Sequence, residues 1–192
     1  MSNPHLKAVP LEKSYRLLNH GPTVLVSAQD QENTDVMAAA WACALEFQPA
    51  KVTVVLDKST KTRKIIENSG YFALQVPTLK QLNMVQAVGT ISMHDQPDKL
   101  EQCGVELFQF DQSDIPVVSG CAAWLLCELI PEPHNQQTHD LFIGKVIRLM
   151  LTSACSVMDT GIIRTWSVNG AAFTILQAVI FIALVIRFQR MI

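Results

Sequence analysis

Residues Asp35 to Trp41 read Asp-Val-Met-Ala-Ala-Ala-Trp, an apolar run of small side chains that ends in a tryptophan. Small side chains on a strand let a flat ligand come close to the backbone, and an indole offers a face for stacking. The β-branched run from Lys51 to Leu56 predicts a following strand. Together the two runs predict a surface against which an aromatic ligand could lie.

The stretch Ser59-Thr60-Lys61-Thr62 places a cluster of hydroxyls and one ammonium group ahead of a predicted helix. A helix N-terminus offers free N–H groups and the positive end of the helix dipole, and both favour a phosphate. A flat ring on the strand and Trp41, with a phosphate at the helix start, would suit flavin mononucleotide (FMN).

In the order of its motifs the chain resembles the flavin reductase-like, FMN-binding split-barrel family. The family's pattern of Asn-Val-Met, small residues and Trp is matched over residues 35–41, with Asp in place of Asn. Its helix ending Glu-x-Ser-Gly-x-Phe is matched by residues 67–72. Asp98-Lys99 and the run from His139 to Val146 are further matches. The resemblance covers roughly residues 15 to 155.

The resemblance implies a mainly β fold with short helices, an FMN-binding split β-barrel formed by one domain over residues 1–155. It implies FMN as cofactor and NAD(P)H as co-substrate, with hydride transfer from the nicotinamide to the flavin N5. It also implies a homodimer with the flavin at or near the subunit interface. A cytoplasmic location is expected from the cysteines, which form no Cys-x-x-Cys pair. The alternative function is a non-catalytic protein that binds or carries FMN.

Candidate flavin contacts come from four parts of the chain. They are Asp35, Ala39, Ala40, Trp41, Ser59, Thr60, Lys61, Thr62, Lys99 and His139. Several have ordinary structural explanations: Trp41 as a core residue, Thr62 as a helix cap, Lys99 as a solvated charge and His139 as a structural histidine. The resemblance favours Trp41 beside the flavin, Lys99 at its phosphate or ring edge, and His139 close enough to tune proton delivery. No side-chain acid or base is expected to be essential for the hydride step.

Asp35 departs from the family's pattern, because an ionised Asp only accepts hydrogen bonds whereas Asn also donates them. A carboxylate beside an anionic phosphate or a reduced flavin is unfavourable. The sequence therefore predicts either that Asp35 faces away from the ligand or that the flavin is held more weakly than in relatives.

Composition bounds the remaining possibilities. With 192 residues and a net charge of −2, the chain fits one domain with no general attraction to nucleic acid. Five cysteines without a Cys-x-x-Cys pair predict buried, reduced thiols, and the polar N-terminus predicts no signal peptide. No Gly-x-Gly-x-x-Gly follows a strand and no Gly-x-Ser-x-Gly is present, so neither a separate dinucleotide domain nor a serine hydrolase is expected. The spacing of His134, His139 and Asp140 matches no common metal site, and no metal is predicted.

Periodicity and turn residues predict the elements of a closed β-barrel with helices over its ends. Strands are predicted over Thr23–Ala28, Val36–Phe47, Lys51–Leu56, Tyr71–Val76, Ala122–Ile130 and Leu141–Leu151. Helices are predicted over Thr62–Asn68, Leu79–Val88 and near Lys99–Cys103, with Gly70 as a C′ residue and a polar loop over Pro131–Thr138.

Residues 156–192 form an atypical tail. The run from Ala171 to Ile186 is almost wholly apolar, and at face value it predicts a membrane-like helix in a tail-anchored protein, although about 16 residues is short for a span. The competing hypothesis is a shift of the coding frame near residue 156. Codons read one base earlier allow Gly-His-Phe-Tyr over residues 178–182, which resembles the family's last strand.

Overall fold

The computed structural model describes residues 10–15, 19, 21–31, 33–152, 155–157 and 163–165. Its strands are β1 (Val24–Gln29), β2 (Thr34–Ala39), β3 (Ala42–Phe47), β4 (Ala50–Val55), β5 (Tyr71–Val76), β6 (Leu107–Phe108), β7 (Val117–Val118), β8 (Ala123–Ile130), β9 (Leu141–Leu151), β10 (Cys155–Val157) and β11 (Ile163–Thr165). Its α-helices are α1 (Lys61–Ser69), α2 (Leu82–Thr90), α3 (Lys99–Gln102) and α4 (Pro133–His139), with 3₁₀ turns at Leu11–Lys13 and Leu79–Gln81.

The main sheet has seven strands in the order β2-β1-β5-β8-β9-β4-β3, and every neighbouring pair is antiparallel. The two edge strands, β2 and β3, follow each other in the chain. In the part of the chain that the structure describes, no ladder joins them. This confirms the split barrel that the resemblance implies, and the closed barrel predicted from periodicity is wrong. The single predicted strand Val36–Phe47 is wrong for the same reason, because the chain bends at Ala40 and Trp41 to leave one edge for the other.

Two hydrophobic clusters lie on opposite faces of the sheet. Alternate residues of β1 point to opposite sides, so Val24 and Val26 join one cluster while Leu25 joins the other. The first cluster is closed by Ile65 of α1, and the second is covered by Val85 of α2. Burial on both faces explains why Val24, Leu25 and Val26 follow one another with no polar residue between them.

Helix α1 confirms the predicted helix and its C-terminal signal. Gly70 follows it with φ +75°, and its N–H donates to the Ile66 carbonyl at 2.8 Å. A glycine is favoured there because other residues are strained in the left-handed region. The helix begins at Lys61 with Thr60 as N-cap, so the alternative explanation of Thr62 as a helix cap is wrong.

The predicted polar loop over Pro131–Thr138 is wrong, because most of it forms α4. Pro133 occupies the first turn, where its missing N–H costs nothing, and Gln136 is the helix's buried residue. A short helix with so little buried surface shows no apolar periodicity, so the pattern did not reveal it.

Gly144 of β9 lies against the ring of Phe72 inside the barrel. A Cβ at this position would lie 2.9 Å from Cε1 of Phe72 and 3.0 Å from Cβ of Cys127. Both neighbours are fully buried, so there is no free space into which they can move. The glycine therefore allows β9 and β5 to approach across the core.

The cysteines whose side chains are described are free thiols. Cys103, Cys121 and Cys127 are buried, as predicted, whereas Cys43 on the edge strand β3 is exposed. Burial raises the pKa of Cys121 and of Cys127 to about 12.

Among the described residues no helix is long and apolar enough to cross a membrane. The candidate membrane-like run 171–186 lies outside the described residues, as does most of the tail. The proposed boundary near residue 155 and the frame-shift hypothesis stay predictions.

Candidate functional site

A buried polar cluster joins β2, α1 and α3. The Asp35 carboxylate accepts a hydrogen bond from Lys99 Nζ at 2.9 Å and from Thr62 Oγ1 at 2.6 Å. It also accepts the backbone N–H of Val36 at 2.8 Å. The side chains of Asp35 and Lys99 are each only 3% exposed. Three predicted site residues that lie far apart in sequence are therefore in direct contact.

This cluster changes the interpretation of each member. Asp35 is neither turned out to solvent nor unpaired, because Lys99 balances its charge. Lys99 is not a solvated surface charge, and the Thr62 hydroxyl is already donated to the carboxylate rather than to a helix end. The buried Asp35–Lys99 ion pair is stabilised by the additional hydrogen bonds that the carboxylate accepts, and removing one partner would leave the other charge buried alone.

The loop before α1 is organised by Asp57. Its carboxylate accepts the Ser59 N–H at 2.8 Å and the Ser59 hydroxyl at 2.6 Å, while Thr60 Oγ1 donates to the Asp57 carbonyl at 2.8 Å. The hydrogen bonds from Ser59 lower the pKa of Asp57. Because Thr60 is occupied with Asp57, the N-terminus of α1 has no side-chain cap.

The first turn of α1 is suited to an anion. It contains no acidic residue and begins with Lys61, and the N–H groups of an uncapped first turn lack helical partners. Lys61 lines two neighbouring clefts, of about 890 Å³ and about 670 Å³. The smaller cleft is also lined by Thr34 and Leu100, the chain neighbours of Asp35 and Lys99. The buried cluster thus lies beside the cleft that Lys61 overlooks.

The small-residue stretch lies at the seam between β2 and β3. Ala39 is buried in the barrel core, Ala40 lies at the bend, and Trp41 is 47% exposed. The Trp41 ring meets Tyr15 edge to face at a centroid distance of 5.8 Å, and its Nε1 donates to Asn19 Oδ1. The explanation of Trp41 as a core residue is therefore wrong.

The Trp41 carbonyl accepts the Val55 N–H at 3.0 Å. Val55 ends β4, immediately before the loop that leads to α1. The aromatic side chain and the N-terminus of α1 therefore belong to the same end of the barrel.

His139 ends α4 and is exposed, with its ring edge to face against His134 at 5.9 Å. No group of three or more His, Cys, Asp or Glu side chains able to hold a metal is found among the described residues. Asp140, which follows His139 in the chain, accepts a hydrogen bond from Arg63 through its carboxylate, and the Asp140 carbonyl accepts the Leu56 N–H at 2.8 Å. His139 is thereby kept at the same end of the barrel as α1.

Arg63 is the residue of this region that sequence reasoning missed. Its guanidinium donates to the carbonyls of Leu56 and Gln136, at 3.2 and 2.8 Å, and to the carboxylates of Glu67 and Asp140. Burial alone would lower the pKa of Arg63, but the hydrogen bonds with the two carboxylates raise it overall. Only the Glu67 partner, one helical turn away, leaves a sequence signal.

The fold and the site define a mainly antiparallel split barrel with an anion-suited helix start at one end. The family model described as "Flavin reductase like domain" matches residues 16–161. The chain belongs to the flavin reductase-like family, and the resemblance seen in the sequence is confirmed.

Solved structures and curated relatives agree with this assignment. The chain is 57% identical to an FMN-binding domain of a flavin reductases-like enzyme from Shewanella baltica, with a TM-score of 0.70 over 81% of this chain and 80% of that one. It resembles flavoredoxin of Desulfovibrio vulgaris in fold, with a TM-score of 0.64 at 23% identity over 86% and 88% of the two chains. It is also 38% identical to the uncharacterized protein YddH of Escherichia coli, over 72% of this chain and 75% of that one.

The residues at the start of α1 fit the phosphate of FMN. They supply backbone donors without a cap and the ammonium of Lys61, with no carboxylate in the first turn, while the hydroxyls of Ser59 and Thr60 donate to Asp57. The exposed ring of Trp41 nearby provides an apolar face. This donor set is chemically suited to a flat, singly phosphorylated ligand.

Proposed function

We propose that the protein binds FMN and acts as a flavin reductase that takes a hydride from NAD(P)H. The observation that carries the proposal is the uncapped, acid-free first turn of α1 with Lys61, at the same end of the barrel as the exposed ring of Trp41. Membership of the flavin reductase-like family and the likeness to an FMN-binding domain from Shewanella baltica support the same ligand.

Each part of the site has a distinct role in this proposal. The first turn of α1, Ser59, Thr60 and Lys61 bind the phosphate, while Ala39, Ala40 and Trp41 lie along the ring. When bound, FMN supplies the hydride-accepting chemistry. The protein orients the ring, and the neighbouring clefts leave room for a nicotinamide to approach it. His139, held at this end through Asp140, is proposed to lie near the ring and to tune proton delivery.

Flavin binding and turnover can be measured separately. Purified protein titrated with FMN should quench flavin fluorescence, and adding NADH or NADPH should give steady oxidation that depends on FMN. Lys61→Gln should weaken FMN binding by about 1 kcal/mol, because the charge of a partly exposed ammonium is screened by water. Lys80→Gln, which changes an exposed lysine on the 3₁₀ turn Leu79–Gln81, is the matched control and should leave binding unchanged.

The flavin reductase and the non-catalytic FMN carrier differ in whether NADH or NADPH is oxidised after FMN has bound. FMN binding without oxidation of either nicotinamide would identify an FMN carrier and refute the reductase. Absence of FMN binding would refute both. Equal losses in the lysine variants would show that general charge, rather than the helix start, attracts the ligand.

A homodimer is proposed on the basis of exposed apolar side chains in β3 and β9, the two strands that flank β4. Phe47 of β3 is fully exposed, and Leu45 of β3 and Ile147 and Leu149 of β9 are about half exposed. Exposed large apolar side chains of this kind are enriched at protein interfaces. Light scattering should give twice the chain mass, and Phe47→Glu should shift the mass toward that of one chain. A cytoplasmic location remains part of the proposal.

A further inference from the structure

The Asp35 carboxylate accepts hydrogen bonds from two donors, Thr62 and Lys99, that lie next to the proposed phosphate site. Thr62 is the second residue of α1, and its hydroxyl lies 2.6 Å from one carboxylate oxygen of Asp35. The Lys99 ammonium lies 2.9 Å from the other. In the absence of that carboxylate, both groups would be free to donate to an anion at the helix start.

The Asp35 carboxylate competes strongly with a bound anion for the Thr62 and Lys99 donors, because the three side chains are buried together. Thr62 is completely buried, and Asp35 and Lys99 are each 2% exposed, so water weakens the ion pair very little. The pair is electrically neutral, whereas Lys99 alone would add a full positive charge beside the first turn of α1. Among the described residues Lys61 and Lys64 form no ion pair, and Lys61 is the ammonium at the very start of that turn.

We propose that Asp35 is a specificity-determining residue that limits how much the phosphate of FMN contributes to binding, so that unphosphorylated flavin is accepted nearly as well. This inference rests on the proposed flavin site. The ligand class is therefore flavins bound mainly through the ring and ribityl chain. A ligand held this way exchanges with solution, as a diffusible substrate does, rather than staying as a resident group.

The wild-type protein gives the first test. Its dissociation constants for FMN and riboflavin, measured by fluorescence titration, should differ by less than about tenfold. A single fully used phosphate contact to a charged donor is worth about that factor, and several would exceed it. A preference for FMN above about a hundredfold overturns the inference without any variant.

Asp35→Asn is the sharper test, because the amide keeps the shape of the side chain and removes its charge. The variant should bind FMN about tenfold more tightly, with riboflavin affinity unchanged. In the double variant Asp35→Asn with Lys99→Met the gain should disappear, since the released ammonium is its source. Thr62→Val should weaken FMN binding more in the Asp35→Asn background than in the wild-type protein.

Each other outcome overturns the inference in a recognisable way. Equal losses for both flavins in Asp35→Asn would mean that Asp35 only holds α3 in place or contacts the ring itself. If Asp35→Asn does not fold, the charge-free double variant and the wild-type ratio still decide. Binding of neither flavin by the wild-type protein refutes the proposed function and this inference together, whereas binding with a strong FMN preference refutes the inference alone.

Discussion

Replacing Arg63 with Met should destabilise the folded protein by about 3 kcal/mol. The guanidinium donates to the carbonyls of Leu56 and Gln136 and to the carboxylates of Glu67 and Asp140. Each carbonyl that loses its donor costs about 1 kcal/mol. The Asp140 side chain is 24% exposed, so the loss of its ion pair adds about 1 to 2 kcal/mol rather than the value of a fully buried pair.

Urea unfolding followed by tryptophan fluorescence measures this change, because the midpoint shifts in proportion to the free energy of unfolding. Arg63→Lys keeps the charge but loses the planar fork, so about half of the destabilisation should remain. Glu67→Gln is the matched control: Glu67 is 41% exposed, and a pair of this spacing on a helix surface contributes about 0.3 to 0.5 kcal/mol. A change below about 1 kcal/mol for Arg63→Met would refute the conclusion that the hydrogen bonds of Arg63 to Leu56, Gln136 and Asp140 stabilise the fold. Equal effects of Arg63→Met and Glu67→Gln would refute it as well.

Gly144→Ala should destabilise the protein by about 1 to 3 kcal/mol, because the added methyl meets a buried ring; a shift of the urea midpoint measures it, and an unchanged midpoint would show that the core can adjust. At pH 8, mass spectrometry after iodoacetamide treatment should find Cys43 alkylated while Cys121 and Cys127, whose pKa values are raised to about 12, stay unmodified until urea is added. Resequencing the gene should find a reading frame over residues 156–192 that encodes a Gly-His-Phe-Tyr strand, and stop codons in that frame would exclude the frame-shift hypothesis.

Elements with local signals were predictable from sequence. Helix α1 is predicted by the hydroxyls at its start and by Gly70 at its end, and β1 by the β-branched and apolar residues Val24, Leu25 and Val26. Helix α4 lacks such a signal, since it is short and largely exposed. The split between β2 and β3 depends on which strands pair, and pairing across the sheet is decided by packing rather than by either strand alone.

In the candidate site, too, individual residues were predictable from sequence, whereas the contacts between them were not. Motif order pointed to Asp35, Thr62 and Lys99 separately, but their mutual contact joins residues 27 and 64 positions apart. A carboxylate expected to repel the ligand is instead paired, because a buried charge is tolerated when a partner of opposite charge meets it. Arg63 escaped notice because three of its four acceptors come from other elements, and nothing in a single sequence reveals which elements meet.

The seam at Ala40 and Trp41 has a consequence for how the molecule fluctuates. Within the described residues strand β3 pairs only with β4, and all six of its residues are at least partly exposed. Amide hydrogens of such a strand exchange through local opening long before the buried strands β1 and β5 do. The proposed ring-binding residues Ala40 and Trp41 immediately precede this strand, and a ligand bound there is expected to slow exchange in β3 while leaving the protected interior unchanged.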